Sequence, residues 1–332
     1  MDVVALVPDR DHVSARYRIG QYSRHLRNVG LNLALEPLAK GTADRFLQVT
    51  RPRPHQIVFL QRKLLPVWQV ALLRQTSRML IYDFDDAVHL RDSFHPRGPY
   101  SLTRAIRFRA TVSLADFVIA GNSFLADVVR ACTNSRKIHV IPTCVDPSRY
   151  PLANHLDHRP TRLVWIGSSS TLRSLEEGRS LLELIGRKVP STTLRVICDR
   201  FPDFEHLSVE PAVWSPETEV DDLRGSDIGI SFLSDNSWSR GKCGLKVLQY
   251  MAAALPVVAS PVGVHAQMVD QEHGFLPTTT GDWVESIQEL SRDAAMRAQM
   301  GREGRMRVER QFHVDTWGPI LAEKLAEAAA RL

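Results

Sequence analysis

Short apolar stretches of strand length alternate with segments of helical period along most of the chain, and this alternation limits the fold more than any other feature. The series runs "VVALV", "RIGQYSRHLRNVG", "QIVFL", "KLLPVWQVALLRQ", "MLIYDF", "SLTRAIRFRATVSL", "FVIAG" and "IHVIPT". Apolar strands separated by helices predict a parallel sheet covered on both faces, because parallel neighbours need a crossover long enough to hold a helix. The series pauses over residues 146–160, "DPSRYPLANHLDHRP", which have no periodicity and three prolines. It restarts with "RLVWIG", "LEEGRSLLELIGRKV", "TLRVIC", "DIGISFL", "LKVLQYMAAA" and "PVVAS". Two successive α/β domains are expected, residues 1–150 and 151–314, with a last helix, 315–332, returning to the first domain. A length of 332 residues suits two cores better than one. Ligands of open α/β sheets bind beyond the carboxyl ends of the strands, so two such domains facing one another would form a cleft lined by strand-end loops.

Charge separates the two halves. Residues 1–150 hold 22 Lys+Arg against 12 Asp+Glu, whereas the remainder holds 20 against 25, so the overall +5 conceals a basic first half. Such a half suits an anionic partner, whether a membrane surface, a lipid phosphate or nucleic acid, as well as a plain arginine-rich solvated surface. No window approaches the roughly 18 uninterrupted apolar residues of a membrane span. "MDVVALVPDRDH" reads as a first strand rather than a signal peptide, for it lacks a basic leader. Cys132, Cys144, Cys198 and Cys243 are scattered without a CxxC pair, against structural zinc and against a disulfide framework. A cytoplasmic protein, peripheral at most to the inner face of a membrane, is the expectation.

Two loops carry candidate chemistry. "YDFDDAVHL" places Asp83, Asp85 and Asp86 just past an apolar run, where carboxylates hold a divalent cation, orient a substrate hydroxyl or stabilise a turn. The second is "SDNSWSRGKCGLKVLQYMAAALPVVASPVG", in which Arg240, Lys242 and Lys246 crowd the start of a helix near Gly244. A helix N-terminus favours anions, and each misplaced cation costs a few tenths to about 1 kcal/mol. A bound phosphate or diphosphate would resolve that conflict, although no P-loop is present. In "WIGSSSTLRSLEE", Gly167, Ser168 and Arg173 fit either ordinary capping or a phosphate pocket.

These stretches, together with "RYRIGQYSRHLRNVGL", "GNSFLADVV", "VIPTCVD" and "GFLPTT", resemble the GT-B fold glycosyltransferases of glycosyltransferase family 4, the group 1 type. The resemblance covers nearly the whole chain, and "RGKCGLK…QYMAA…PVVASPVG" is its specific part. It implies an acceptor domain followed by a donor domain, a nucleoside-diphosphate-sugar donor, retention at the anomeric carbon, no metal and no other cofactor. It also implies no nucleic-acid partner. Two family glutamates eight positions apart fall at Gly241 and Gln249, neither a glutamate, and the diphosphate-holding pair falls at Ser168 and Arg173, of which one is basic. Arg240, Lys242 and Lys246 are therefore expected to neutralise the diphosphate, with Asp235 or Trp238 near the sugar and Gly244 at the helix start. Asp85 and Asp86 become acceptor-orienting groups, with His89 beside them. Arg16 and Arg18 would reach the diphosphate or an anionic acceptor. The haloacid phosphatase pattern is not met, since Ala87 stands where Thr or Val is needed. A GT-B epimerase, a dinucleotide oxidoreductase lacking its G-x-G-x-x-G, and a binding protein without catalysis are the competing classes.

Overall fold

The computed structural model describes residues 1–133, 137–156 and 160–330. It divides into two compact units, Met1–Cys144 with Asn236–Cys243 and Val314–Leu332, and Val145–Asp235 with Gly244–His313. Each unit is built on one six-stranded parallel sheet.

In the first unit the strands are β1 (Asp2–Val7), β2 (Asn32–Pro37), β3 (Arg53–Gln61), β4 (Ser77–Phe84), β5 (Phe117–Ala120) and β6 (Ile138–Val140). Their order is β2-β1-β3-β4-β5-β6. Alternate residues serve opposite faces. Val4, Leu6, Val58, Leu60, Leu80 and Tyr82 enter one core with α3 (Thr42–Thr50), α4 (Val67–Thr76), α5 (Leu102–Leu114) and α6 (Ser123–Arg130). Val3, Ala5, Ile57, Phe59 and Ile81 enter the other with α1 (Val13–Arg18), α2 (Ser23–Asn28) and the last helix, α15 (Val314–Ala330). The C-terminal helix thus packs on the first unit, as its apolar Leu321, Ala322 and Leu325 require. Asp315 at its start accepts a hydrogen bond from Arg24 at 2.6 Å and lies 2.9 Å from His25 Nε2.

In the second unit β7 (Thr161–Ile166), β8 (Thr192–Cys198), β9 (Ser208–Val213), β10 (Ile228–Ser231), β11 (Val257–Ala259) and β12 (Gly274–Phe275) take the order β12-β11-β10-β7-β8-β9. Its helices are α7 (Ser169–Glu177), α8 (Arg179–Lys188), α9 (Asp221–Arg224), α11 (Leu245–Ala252), α12 (His265–Met268), α13 (Thr280–Arg292) and α14 (Ala294–Gln311), while α10 (Ser237–Arg240) groups with the first unit.

Three details depart from the sequence reading. The long helix expected through "LEEGRSLLELIGRKV" is two helices parted at Gly178. β2, β9 and β12 were not foreseen, because a short or half-exposed edge strand lacks the doubly buried apolar run that marks a central one. Residues 145–156 lie against the second unit, with Tyr150 buried and the Ala153 N–H donating to the Ala253 carbonyl at 2.9 Å. Part of the expected linker, residues 157–159, lies outside the described residues.

Candidate functional site

Strand order locates the candidate site of each unit. A sheet whose connections leave a central strand in both directions opens a crevice at the carboxyl ends of the strands where the direction reverses. In the first unit that point lies between β1 and β3, which leads on one side into the loop holding His12 and on the other to Arg62.

Arg62 adopts φ +62°, a left-handed conformation uncommon for a side chain larger than glycine. The Lys63 N–H donates to the Gln61 carbonyl at 2.7 Å, closing a three-residue turn around it, and the Arg62 N–H donates to the Asp83 carbonyl at 2.8 Å. Such a backbone costs of order 1–3 kcal/mol and persists only where its surroundings hold it. Here the guanidinium does so: Nη1 donates to the Ser14 hydroxyl at 2.9 Å and to Asp85 Oδ1 at 3.3 Å, and Nη2 donates to Asp86 Oδ2. Burial would raise the Asp85 carboxyl, but Arg62 and Arg18 overcome it and hold it below the usual carboxylate range. His12 Nδ1 accepts the Ser14 N–H at 3.2 Å, which leaves the proton on Nε2 of a neutral ring. Burial, then Arg62, pushes that imidazole below its ordinary value. Neither His12 nor Arg62 stood out in the sequence, since an isolated His and an Arg among many carry no periodic signal.

Arg18 requires a correction. Expected to meet a ligand, it is buried at 3% exposure. Its Nη2 donates to Asp83 Oδ1 at 2.6 Å, Nε to Asp83 Oδ2 at 3.4 Å, and Nη1 to the Ile141 carbonyl at 2.6 Å. Its donors on all three nitrogens point into the protein, so Arg18 and Asp83 form a structural pair. Arg16 is half-buried, its guanidinium 5.5 Å from the Tyr17 ring centre. His89 turns its ring to Phe108 at 5.3 Å, and burial lowers its pKa, which marks it as a packing residue. At Asp86, Oδ2 takes Arg62, while Oδ1, like His89 Nδ1, is buried with no hydrogen-bond partner among the described residues.

The "SRGKCG" stretch is divided between the units. Trp238, Arg240, Gly241 and Lys242 group with the first, and Asp235, Gly244, Lys246 and Gln249 with the second. The three cations expected to converge on one helix start therefore belong to different bodies. Within the first unit, Asn236 caps α10 by accepting the Ser239 N–H at 2.9 Å, and the Ser93 hydroxyl donates to the same oxygen at 3.0 Å. Asn122 Nδ2 donates to the carbonyls of Gly241 and Lys242 at 3.3 and 3.1 Å. The Lys242 ammonium stands 5.9 Å from the Trp238 ring centre.

At Gly241, where the resemblance places a glutamate, a Cβ would lie 2.7 Å from Ala87 Cβ and 2.9 Å from its nitrogen. The seat against the DFDDA loop has no room for a side chain. Gly241→Glu is expected to lower stability by about 1–3 kcal/mol, the usual range for overpacking, and to gain no donor contact. Urea unfolding checks this, and a midpoint equal to that of the parent would contradict it.

In the second unit the reversal falls between β7 and β10. These strands pair only at Ile228 with Leu163 and Gly229 with Val164. Farther along they part, and the Tyr250 hydroxyl bridges them, accepting the Ile166 N–H at 3.1 Å and donating to the Ile230 carbonyl at 3.2 Å. Burial pushes the Tyr250 phenol up, consistent with a permanent neutral bridge.

Two helices start at this end, and their starts differ. At α7, Ser168 and Thr171 form a capping box, and the Ser169 N–H donates to Asp199 Oδ1 at 2.6 Å. The Ser169 side chain, and after it this N–H, hold the Asp199 carboxyl below its usual range, so this N-terminus already carries an internal anion. Ser168 is thereby a capping residue, Gly167 lies against the Trp165 ring, and Arg173 sits on the exposed side of α7. At α11 the cap is Gly244 at φ +69°, with no side-chain cap bond, and any side chain there would meet Met268 Sδ at 2.6 Å. Gly244 thus offers the first-turn N–H groups of α11 no capping side chain of its own. Lys246 stands in that turn, half-buried, its ammonium 4.6 Å from the Trp165 ring centre. Gln249, one turn farther along, is 3% exposed. Asp235 is exposed at the unit's edge.

Residues 221–293, which run from α9 through β10 and α11 to the end of α13, match the sequence family Glycosyl transferases group 1. Across the whole chain the fold is that of sucrose-phosphate synthase from Thermosynechococcus elongatus, with a TM-score of 0.77 at 14% identity, covering 100% of both chains. The chain has the GT-B fold and resembles the group 1 glycosyltransferases. HepE from Anabaena in complex with UDP-glucose aligns at a TM-score of 0.67 and 14% identity over 98% of this chain and 100% of that one. S. aureus TarM, in a complex with fondaparinux, α-GlcNAc-glycerol and UDP, aligns at 0.61 and 10% over 85% of this chain and 57% of TarM. Curated protein sequences give no match. At these identities the likeness establishes the fold, and with it the two parallel sheets read from the sequence.

Proposed function

We propose that the chain transfers a glycosyl group, hexosyl or closely related, from a nucleoside-diphosphate sugar held on the second unit to a hydroxyl acceptor held on the first. The observation that carries this reading is the start of α11. It has no capping side chain, bears a half-buried lysine, lies within the matched family segment and follows the β10 side of the strand-order reversal. Helix-start N–H groups and an ammonium suit a diphosphate. The uncapped α11 start contrasts with the α7 start, which Asp199 already fills.

In the transfer, the bond between the anomeric carbon and the diphosphate oxygen breaks as the bond to the acceptor oxygen forms. With retention, as the resemblance implies, the acceptor proton passes to the leaving diphosphate, so no strong protein base is needed. In this reading Lys246 and the α11 amides stabilise the growing diphosphate charge, and Gln249 contacts the nucleoside. Asp86 Oδ1 accepts the acceptor hydroxyl, with Asp85 held anionic beside it. The carboxylates of this loop face guanidinium groups where a divalent cation would otherwise sit, which supports a metal-independent reaction. An epimerase would need several acids and bases about one nucleotide sugar, whereas Lys246 is the titratable side chain of the α11 first turn.

Thermal unfolding with a panel of nucleoside diphosphates, in EDTA or Mn²⁺, tests the reading. UDP leads the panel because HepE and TarM carry it in their structures. A ligand at about 100 times its Kd adds roughly 2.7 kcal/mol, so a rise of several degrees that persists in EDTA is expected. No shift with any diphosphate would overturn the donor site, and a shift that needs Mn²⁺ would overturn metal independence.

A further inference from the structure

One face of the first unit is apolar where the second core requires nothing of it. Leu47 on α3 is 66% exposed, Trp68 at the start of α4 is 49%, and Leu102 at the start of α5 is 78%. Phe46, Tyr100 and Ile106 are exposed beside them, and the Phe46 and Trp68 rings lie 6.0 Å apart. Helices α3, α4 and α5 pack side by side on the same face of the sheet. In a parallel sheet each helix starts near the carboxyl end of the strand before it. Trp68 and Leu102 stand in the first turns of α4 and α5, which therefore lie at the end of the sheet that also carries Asp86.

Cations outnumber acids around this face, although Asp44 stands in the first turn of α3 and Arg53, Arg62 and Arg74 pair with Glu36, with Asp85 and Asp86, and with Asp116. Residues 45–82 contain seven Lys+Arg and no Asp or Glu, and residues 93–115 contain four arginines and no acid. Arg45 and Arg104 each come close enough to act on Lys63. Partial burial, followed by Arg62, Arg45 and Arg104, pushes the Lys63 ammonium below its ordinary value. Crowded like charges around exposed aromatic and aliphatic side chains are unfavourable in water alone. Both conflicts are relieved at once by a surface whose interior is apolar and whose rim is anionic.

We infer that the α3–α4–α5 face docks on an anionic phospholipid bilayer, with Leu47, Trp68 and Leu102 entering the headgroup boundary while Arg45, Lys63, Arg104 and Arg107 meet the lipid phosphates. Trp and Leu among cations are the side chains that suit this boundary. None of the described helices is long and apolar enough to cross a membrane, so the attachment is peripheral. Docking needs no donor and stands apart from the transfer reaction. It would bring the end of the sheet that holds Asp86 to a lipid-borne hydroxyl.

The full chain is mixed with vesicles of phosphatidylcholine alone or of phosphatidylcholine with phosphatidylglycerol, and the bound fraction is read by sedimentation. Binding to the anionic vesicles only, lost at high salt, is expected. A surface cation contributes about 1 kcal/mol, so Lys63→Gln with Arg107→Gln should weaken binding by roughly 25-fold. Trp68→Ser with Leu102→Gln should also weaken it, with both variants melting as the parent does. No sedimentation with anionic vesicles at low salt would overturn the inference. So would binding that both double variants retain in full. A dimer in light scattering that the Trp68/Leu102 variant dissolves would assign the face to a second copy instead. The UDP shift is measured without vesicles, so failure of the donor site and failure of docking are told apart.

Discussion

Arg18→Met is expected to lower the stability of the protein by about 3–5 kcal/mol, the range for stranding one member of a buried ion pair. Arg18 and Asp83 side chains are each 1% exposed, so removal of the guanidinium leaves a carboxylate without water or partner. It also strips the Ile141 carbonyl of its donor. Burial raises the Asp83 carboxyl and Arg18 opposes it, so in the variant the folded pKa rises well above the unfolded value. A carboxyl with a raised folded pKa keeps its stability below the unfolded pKa, near 4, and loses it as pH climbs through the folded one. The penalty should therefore be smaller at pH 5 than at pH 8. Replacing both partners, with Arg18→Met and Asp83→Leu together, should recover most of the loss, because the cost lies in the stranded charge. Urea unfolding of the three proteins at both pH values checks this, and a single variant as stable as the parent at pH 8 would show that the pair is not what the geometry indicates.

That pair also shows what the sequence could tell and what it could not. "VVALV" and "MLIYDF" announce central strands, because a strand buried on both faces must be apolar along its length, and the resemblance in "RGKCGLK…QYMAA" carries the architecture. Asp83, Asp85 and Asp86 were equivalent as letters. The pleat of β4 separates them: Asp83 still belongs to the strand and points into the protein, whereas Asp85 and Asp86 lie past its end. Arg62 was invisible because its importance depends on the left-handed turn and on β3 lying next to β1, a long-range fact of strand order. Gly241 read as a missing glutamate, while its seat on Ala87 is a reason for glycine that only a contact across more than 150 positions of chain could supply. Local reasoning likewise gathered Arg240, Lys242 and Lys246 at one helix start without showing that residues 236–243 group with the first unit and Lys246 with the second.

The larger functional effect belongs to Lys246. In the first turn of α11 its charge opposes the helix dipole, at a few tenths to about 1 kcal/mol, and the Trp165 ring beneath it returns roughly 0.5–2 kcal/mol. These nearly cancel, so Lys246→Met, which keeps the stem and removes the charge, should change stability by no more than about 1 kcal/mol. Turnover should respond far more. If the ammonium stabilises diphosphate charge that grows as the glycosidic bond breaks, its loss acts on the transition state and should lower kcat by about 10²–10³. A charge that merely bound the donor would raise KM and leave kcat unchanged. The thermal shift given by UDP should shrink as well, since the diphosphate is anionic before transfer begins. Steady-state kinetics on the variant, beside its melting curve, separate these cases. A kcat within a few-fold of the parent would remove Lys246 from the chemistry and leave the α11 amides as the principal diphosphate ligand.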